Sequence, residues 1–360
     1  MYSRSEAKAI TDKILNMAKG VDAVEIDLSG NERSGTRWAN STITTNLVQF
    51  DRSVNITVRI GQKTSSAFTR DFSDASLQST LNEAVDAAKG RPDSPNLPEL
   101  LGPQKYIEVD AALPSGVNFG PHERALMVKE CLDICDEKKV VASGYIPKTY
   151  ATNVTANSKG LFAYYSYAEA GFILTCRTPD GGGSGWAGIT GIKDISMIKA
   201  GDLTRVAADK ALKSVNPKAL EPGRYTVILE PRANARFLSL VTGIFNAGNT
   251  NAFIRDKKPG DKIFSDLFSL KSDIGNPILR QTPILGDNTP AEPAVWLENG
   301  VLRHQAGGQD GPKANLGMSL VMGGSDKSIA DMVKDTRRGL LVTFFWYIRG
   351  VDNRRCSTRV

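Results

Sequence analysis

The 360-residue chain has only two histidines and four cysteines, and this scarcity excludes most metal and acid–base sites. A hydrolytic zinc site commonly takes two histidines one helical turn apart together with a carboxylate. His122 and His304 lie far apart in the chain, and no G-x-S-x-G motif supports a Ser–His–Asp site. The residues therefore predict neither a catalytic group nor a metal ligand in this chain.

Long apolar runs are also missing, because none reaches the roughly 18 residues that a membrane helix needs. The longest run, at residues 339–348, predicts a buried strand. The first residues lack the apolar core of a signal peptide. We therefore expect a cytoplasmic protein without membrane contact, in which the cysteines stay reduced and Cys135 is buried in a helix face.

Positive charge is present but dispersed, with a formal net charge of +6. A nucleic-acid interface would need a clustered basic stripe, whereas acids interrupt the densest basic groups at 255–262 and 335–339. Nucleic acid is therefore not an expected partner.

In the first third of the chain, apolar and polar residues alternate in two stretches, which predicts strands between two helices. Residues 24–29 and 54–60 alternate apolar and polar side chains, and a turn then leads to a third strand, so we expect an antiparallel meander. Caps and stops bound the two helices: Ser3, Glu6, Gly20, Ser73 and Gly90.

The proline-rich stretch 91–120 predicts a linker between sub-regions at about 1–90 and 121–217. The second sub-region begins with a helix over about 121–139. A hairpin with long aromatic arms, residues 143–157 and 161–177, follows it. A helix over about 202–215, which we expect Asp202 to cap, closes this half.

A domain boundary is expected near residue 217, in the sequence PKALEPG. Beyond it, the strand RYTVILEP delivers a helix after Pro231, and short strands, turns and a last helix over about 326–338 follow. The whole pattern predicts an α+β fold. Residues 1–217 would form an N-terminal α/β region with the antiparallel meander and helices, and residues 218–360 a mainly antiparallel β domain with a few helices.

The sequence GSGWAG matches G-x-G-x-x-G, but no helix begins there, so it does not support a dinucleotide site. Glycines around a tryptophan favour a tight turn or a flexible flap over a groove. In the second case the residues that would contact a bound peptide are Gly183, Ser184, Gly185 and Trp186.

A cluster of asparagines ends the helix that follows Pro231. Asn246, Asn249 and Asn251 do not ionise, so they cannot act as acid, base or nucleophile. They could hydrogen-bond a peptide backbone, but closing the helix end is the favoured interpretation, because asparagine tolerates left-handed backbone.

Several stretches, taken in order, resemble the TldD/PmbA family, which is named for modulation of DNA gyrase and for the TldD/TldE metalloprotease. They span roughly residues 20–352 and are AVEIDLSGNERSGTRWANSTITTNL, DRSVNITVRIGQKTSSAFTRD, GSGWAG, PGRYTVILEPRANARFLSLV, GDKIFSDLFSLKSD and RRGLLVTFFWYIRGVD. No single motif is decisive, but the ordered set is specific.

The resemblance implies a peptidase system of two chain types. TldD-type chains carry a His–Glu–three residues–His metal motif on the helix after the VILEP-like strand, whereas TldE (PmbA)-type chains lack it and pair with them. Here that helix reads LVTGIFNAGNTN, without histidine or glutamate. The resemblance therefore implies a TldE-like chain without a cofactor of its own, with zinc held by a TldD-type partner.

The end of the chain departs from the family pattern, which continues with further strands. Residues 353–360 read NRRCSTRV, a basic tail without strand period. We expect a truncated or frameshifted C-terminal domain, and we assign no metal role to Cys356.

Two functions remain open on this basis. The first is the non-catalytic subunit of a heterodimeric metalloprotease that processes peptides and unfolded segments. The second is a stand-alone peptide- or DNA-binding module, in which the aromatic hairpin at 161–176 and the glycine segment would receive a peptide.

Overall fold

A six-stranded antiparallel sheet organises the N-terminal part of the structure, a computed structural model. The structure describes residues 1–249, 253–280, 282–308, 311–314, 316–317, 319–345, 350–352 and 357–359. The strands of this sheet are β1 (Ala23–Ala39), β2 (Thr42–Ile60), β3 (Lys63–Thr69), β4 (Val141–Asn157), β5 (Phe162–Arg177) and β6 (Ser184–Ile192). Their order is β3-β2-β1-β4-β5-β6. The predicted meander and long hairpin are confirmed.

Helices cover one face of this sheet. They are α1 (Arg4–Met17), α2 (Asp74–Lys89), α3 (Pro114–Val117), α4 (Pro121–Lys138) and α5 (Ala200–Lys213). The predicted capping box is present in α1, since the Ser3 hydroxyl accepts from the Glu6 amide and Glu6 accepts from the Ser3 amide. Ser73 caps α2 in the predicted way. Asp202 is different, because α5 begins at Ala200 and places Asp202 in its first turn rather than at its cap.

Two hydrophobic cores form on that face. Alternate residues of β1 point to the same side of the sheet, so its inward side chains contribute to both cores. Val24, Ile26 and Leu28 pack with side chains of α1 and α2. Trp38, at the other end of β1, packs with side chains of α4 and α5. Strands from both sides of residues 91–120 belong to this one sheet, since β1 pairs with β4.

Buried charges lie between the two cores. Arg124 of α4 is fully buried and donates to the hydroxyls of Ser34 and Thr36. Lys148 of β4 forms an ion pair with Glu32 of β1, with Nζ and Oε1 2.9 Å apart. Burial lowers the pKa of Arg124, and the nearby Glu32 opposes that shift. These charges make the centre of the sheet face polar, and sequence periodicity did not reveal them.

The chain forms two compact units. The first unit contains residues 1–213 and, much later in the chain, Pro277–Pro290. Within it, Leu279 forms a β-bridge with Ile192, and the Tyr106 hydroxyl donates to the Asn288 carbonyl at 2.7 Å. The second unit contains residues 214–276 and 291–360.

The second unit is built from short elements. Its strands are β7 (Thr226–Leu229), β8 (Ser269–Ser272), β9 (Ala294–Glu298), β10 (Val301–Leu302), β11 (Leu320–Gly323), β12 (Gly339–Val342), β13 (Gly350–Asp352) and β14 (Ser357–Arg359), and its helices are α6 (Pro231–Val241) and α7 (Ile329–Asp335). The antiparallel order β10-β9-β8-β11 forms one sheet, and β7 pairs with β12 in parallel. The α+β class is therefore confirmed.

One detail of the C-terminal prediction is wrong, and one strand was not predicted. In the described part of the apolar run, residues 339–345, the strand covers Gly339–Val342, and Leu341 is 43% exposed because β12 lies in a two-stranded sheet. Residues 346–349 lie outside the described residues. Part of the tail, for which no strand was predicted, forms β14, which pairs antiparallel with β13.

Candidate functional site

The segment that follows β7 holds the position of interest. Pro231 suits the first turn of α6, because backbone amides in the first turn have no hydrogen-bond acceptor within the helix and proline lacks that amide hydrogen. A 3₁₀ turn over Thr242–Phe245 extends the helix. Between residues 231 and 249 the ionisable side chains are Arg232 and Arg236, so the segment carries no carboxylate and no imidazole.

Phe245 anchors the end of this segment in the core of the second unit. Its side chain is 1% exposed, and its ring centroid lies 6.2 Å from that of Phe264. The Phe245 carbonyl accepts from the Ala306 amide at 2.9 Å, and the Ala247 amide donates to the Ala306 carbonyl at 2.8 Å. The segment is thus fixed by apolar packing and backbone pairing.

Asn249 closes the helix end, as the favoured interpretation requires. Its side-chain amide donates to the Gly243 carbonyl at 2.9 Å, so it satisfies an acceptor that the helix leaves open. Asn246 is exposed, and its backbone amide donates to the same Gly243 carbonyl. The left-handed position belongs to Gly248, with φ of 73°. Asn251 lies outside the described residues.

The segment after β7 does not offer the ligands of the zinc that TldD-type chains would hold at this position. Within the described ranges, no group of three or more His, Cys, Asp or Glu side chains could hold a metal ion. At this position the chain offers amides, hydroxyls, aliphatic groups and a phenyl ring. These groups do not provide the thiolate, imidazole or carboxylate ligands of zinc.

The glycine segment forms a tight turn and an ordered strand instead of a flap. The Thr178 hydroxyl accepts from the Gly183 amide at 2.8 Å and donates to Asp180, which closes the turn. Residues from Ser184 onward then pair with β5 as β6. A flap over a groove is therefore wrong, because strand pairing holds these residues against the sheet.

Gly185 has a packing role. A Cβ built on it would lie 2.2 Å from the Ala207 carbonyl oxygen and 2.5 Å from the Ala211 nitrogen, both in α5. Only glycine lets α5 approach β6 this closely. The Trp186 carbonyl accepts from Lys210 of the same helix, at 3.4 Å.

The predicted contact residues are divided between the units. Gly183, Ser184, Gly185 and Trp186 belong to the first unit, and Asn246 and Asn249 to the second. Their contact with a peptide stays a prediction. The local contacts explain Gly185 and Asn249 without a ligand.

The aromatic strand β5 is not an open edge, because β4 and β6 pair with its two sides. Arg280, from the Pro277–Pro290 segment, lies over the Tyr167 ring with its guanidinium carbon 4.3 Å from the ring centroid. The same guanidinium is 3.6 Å from a Glu169 carboxylate oxygen. A peptide cannot add to β5 as a neighbouring strand.

Three cysteines lie in the core between α4, α5 and β5. Cys135 is fully buried as predicted, with its sulfur 4.0 Å from that of Cys176. The contact with Cys135, followed by burial, raises the pKa of Cys131. The contact with Cys131 lowers the pKa of Cys135, but the contact with Cys176 and burial raise it to about 12. Thiols with such pKa values are poor nucleophiles at neutral pH.

No helix of the described residues is long and apolar enough to cross a membrane.

Two family profiles match the chain. Residues 24–88 match the PmbA/TldA metallopeptidase domain 1, and residues 222–355 match the PmbA/TldA metallopeptidase C-terminal domain. The second match contains the asparagine segment, and together the matches cover more than half of the chain. No curated protein matches the chain significantly.

Solved structures share the fold at low sequence identity. A Thermotoga maritima protein, named as a modulator of a DNA gyrase, has a TM-score of 0.80 and 17% identity over 97% of this chain and 85% of its own. TldE from Thermococcus kodakarensis gives 0.78 and 17% over 95% and 83% of the two chains. A Bacteroides thetaiotaomicron protein, also named as a modulator of DNA gyrase, gives 0.76 and 15% over 98% and 84%.

Proposed function

Because the chain belongs to the PmbA/TldD family, we propose that it is the subunit without a metal site in a heterodimeric metallopeptidase. Its partner would be a paralogue that carries the His–Glu–three residues–His motif and holds zinc. The substrates would be peptides and unfolded segments. This assignment makes the chain a TldE-like subunit.

One observation carries the proposal. The segment after β7, where the resemblance places the metal motif of TldD-type chains, ends in the buried Phe245 and the capping Asn249. It has no acid, no imidazole and no thiol. A zinc peptidase needs such ligands to bind the metal that lowers the pKa of its water. The proposal therefore assigns the reacting groups to another chain.

The contribution of this chain would be to bind and orient the peptide. Of the predicted contact residues, Ser184 in the first unit and Asn246 in the second are exposed. Amide and hydroxyl groups can hydrogen-bond a peptide backbone in any sequence, which suits a peptidase for unfolded segments.

The experiment is co-expression with a paralogue from the same genome that carries the metal motif. We expect the two chains to copurify, zinc to be present at about one ion per pair, and labelled unfolded casein to be cleaved only by the pair. A paralogue variant without the two motif histidines is the matched control, and it should keep the pairing while losing zinc and cleavage.

Two results would contradict the proposal. One is stoichiometric zinc in the purified single chain, measured by mass spectrometry of the metal. The other is cleavage of casein by the single chain after removal of all copurifying proteins.

The stand-alone binding module has less support. Its peptide-receiving elements are the aromatic hairpin and the glycine segment. In the hairpin, β5 has paired strands on both sides, whereas β6, which contains part of the glycine segment, is the last strand of the sheet. Its basic groups at 255–262 include Lys262 paired with Asp266 and Arg255 paired with Asp256. A DNA surface would present unpaired cations along one stripe.

A further inference from the structure

The outer edge of β2 is open along its first half. β3 pairs with β2 only from Val54 to Ile60. Among the described residues, no strand pairs with the outer side of residues 42–53. Every residue from Thr42 to Arg52 is exposed. Near the end of this open stretch, Arg70, which follows β3, forms an ion pair with Asp51.

Apolar side chains line this open edge. Val48 is 44% exposed and Phe50 is 66% exposed. Both point to the core face of the sheet, because they stand opposite Ser34 and Glu32 of β1. Ile43, 41% exposed, stands opposite the buried Trp38 and shares that face.

The first nine residues of the open edge carry little that would prevent strand addition. Residues 42–50 read TITTNLVQF, with no charge and no proline. Proteins usually protect an exposed edge with lysine, proline, a bulge or a short strand, since an unprotected one pairs with another chain. One bulge is present, but it lies at the far end, opposite Arg37 and Trp38.

The edge is complementary to itself. Antiparallel pairing about a twofold axis at Val48 places the two Val48 side chains opposite each other and brings each Phe50 diagonal to the Val48 of the other copy. Asp51 then stands opposite Thr45, so that no two like charges meet. A β-branched pair flanked by aromatic rings is a favourable cross-strand arrangement.

We propose that the open edge of β2, over residues 45–51, pairs with the same edge of a second copy of this chain. The pairing joins two six-stranded sheets into one and buries Val48 and Phe50 of both copies. It is independent of the proposed function, because it needs neither a paralogue nor a metal.

The test is sedimentation velocity on the full chain over a concentration series. The wild type should sediment as a dimer, and Val48→Arg should weaken dimerisation roughly 100-fold or more, because two like charges then meet at the axis. Phe68→Arg is the matched control, since Phe68 is 62% exposed but lies on β3. It should remain dimeric. Equal far-UV circular dichroism of both variants excludes unfolding.

A cross-link gives a second, positive readout. In a Cys356→Ser background, Val48→Cys should form an intermolecular disulfide under mild oxidation, and Phe68→Cys should not. A wild type that is monomeric at all concentrations overturns the proposal. A Val48→Arg variant that dimerises like the wild type would also overturn it. So would a single chain that stays monomeric and associates through this edge with a paralogue instead.

Discussion

The glycine segment of the first unit, residues 178–188, and the asparagine segment of the second, residues 242–249, look alike in the sequence. Each places small or polar residues beside a regular element. In the structure Gly185 removes a side chain so that a helix can approach a strand, whereas Asn249 adds one to close a helix end. Local packing and capping therefore have to be examined before such residues are assigned to a ligand.

The largest effect is expected at the anchor of the asparagine segment. Phe245→Ala should lower the free energy of unfolding by about 4 kcal/mol, because it leaves a cavity beside Phe264. Urea titration followed by near-UV circular dichroism measures this loss. A loss below about 1 kcal/mol would mean that this segment is not held by its apolar contact.

A smaller effect is expected at the glycine segment. Gly185→Ala should destabilise by about 2 kcal/mol, because its Cβ would overlap backbone atoms of α5. Gly243→Ala, in the asparagine segment, is the matched control, since its Cβ would meet nothing within 4 Å. If the two variants have the same stability, the close approach of α5 does not depend on the missing side chain.

Asn249→Ala and Asn246→Ala compare an asparagine that caps the helix with an exposed one. Asn249→Ala should destabilise by about 1 kcal/mol, through loss of the hydrogen bond to the Gly243 carbonyl. Asn246→Ala, at an exposed position, should change stability by less than about 0.5 kcal/mol. The reverse order in thermal melts would remove the distinction between the two asparagines.

The smallest effect concerns the turn before β6. The Thr178 hydroxyl, followed by the Gly182 amide, lowers the pKa of Asp180 below its ordinary value of 3.8. A lowered folded-state pKa contributes stability above the ordinary pKa, and that stability is lost as pH falls through the folded-state pKa. Carboxyl titration by NMR should therefore show an upward shift of the Asp180 pKa in Thr178→Val, and an unchanged value would show that this contact is absent in solution.

Local sequence signals predicted most of the regular elements. The capping box of α1, the alternation in β1 and β2 and the long hairpin depend on neighbours within a few residues, and such patterns are visible in one sequence. The asparagine cap at Asn249 belongs to the same group, because its partner Gly243 is six residues away.

Features that depend on distant residues could not be predicted in this way. Gly185 is explained only by Ala207 and Ala211, which a second element brings to it. Arg124 shares the buried face of α4 with Val128, Cys131 and Cys135. Its burial follows from hydroxyls on β1, whose register the sequence does not reveal.

The return of Pro277–Pro290 to the first unit has a consequence for synthesis on the ribosome. Leu279, Arg280 and Asn288 contact β5, β6 and residue 106, so the first unit is complete only after residue 290 has emerged. Domains generally fold as units while the chain elongates at about 5–20 residues per second. The N-terminal unit must therefore wait several seconds for its last segment, with residues 214–276 already outside the tunnel.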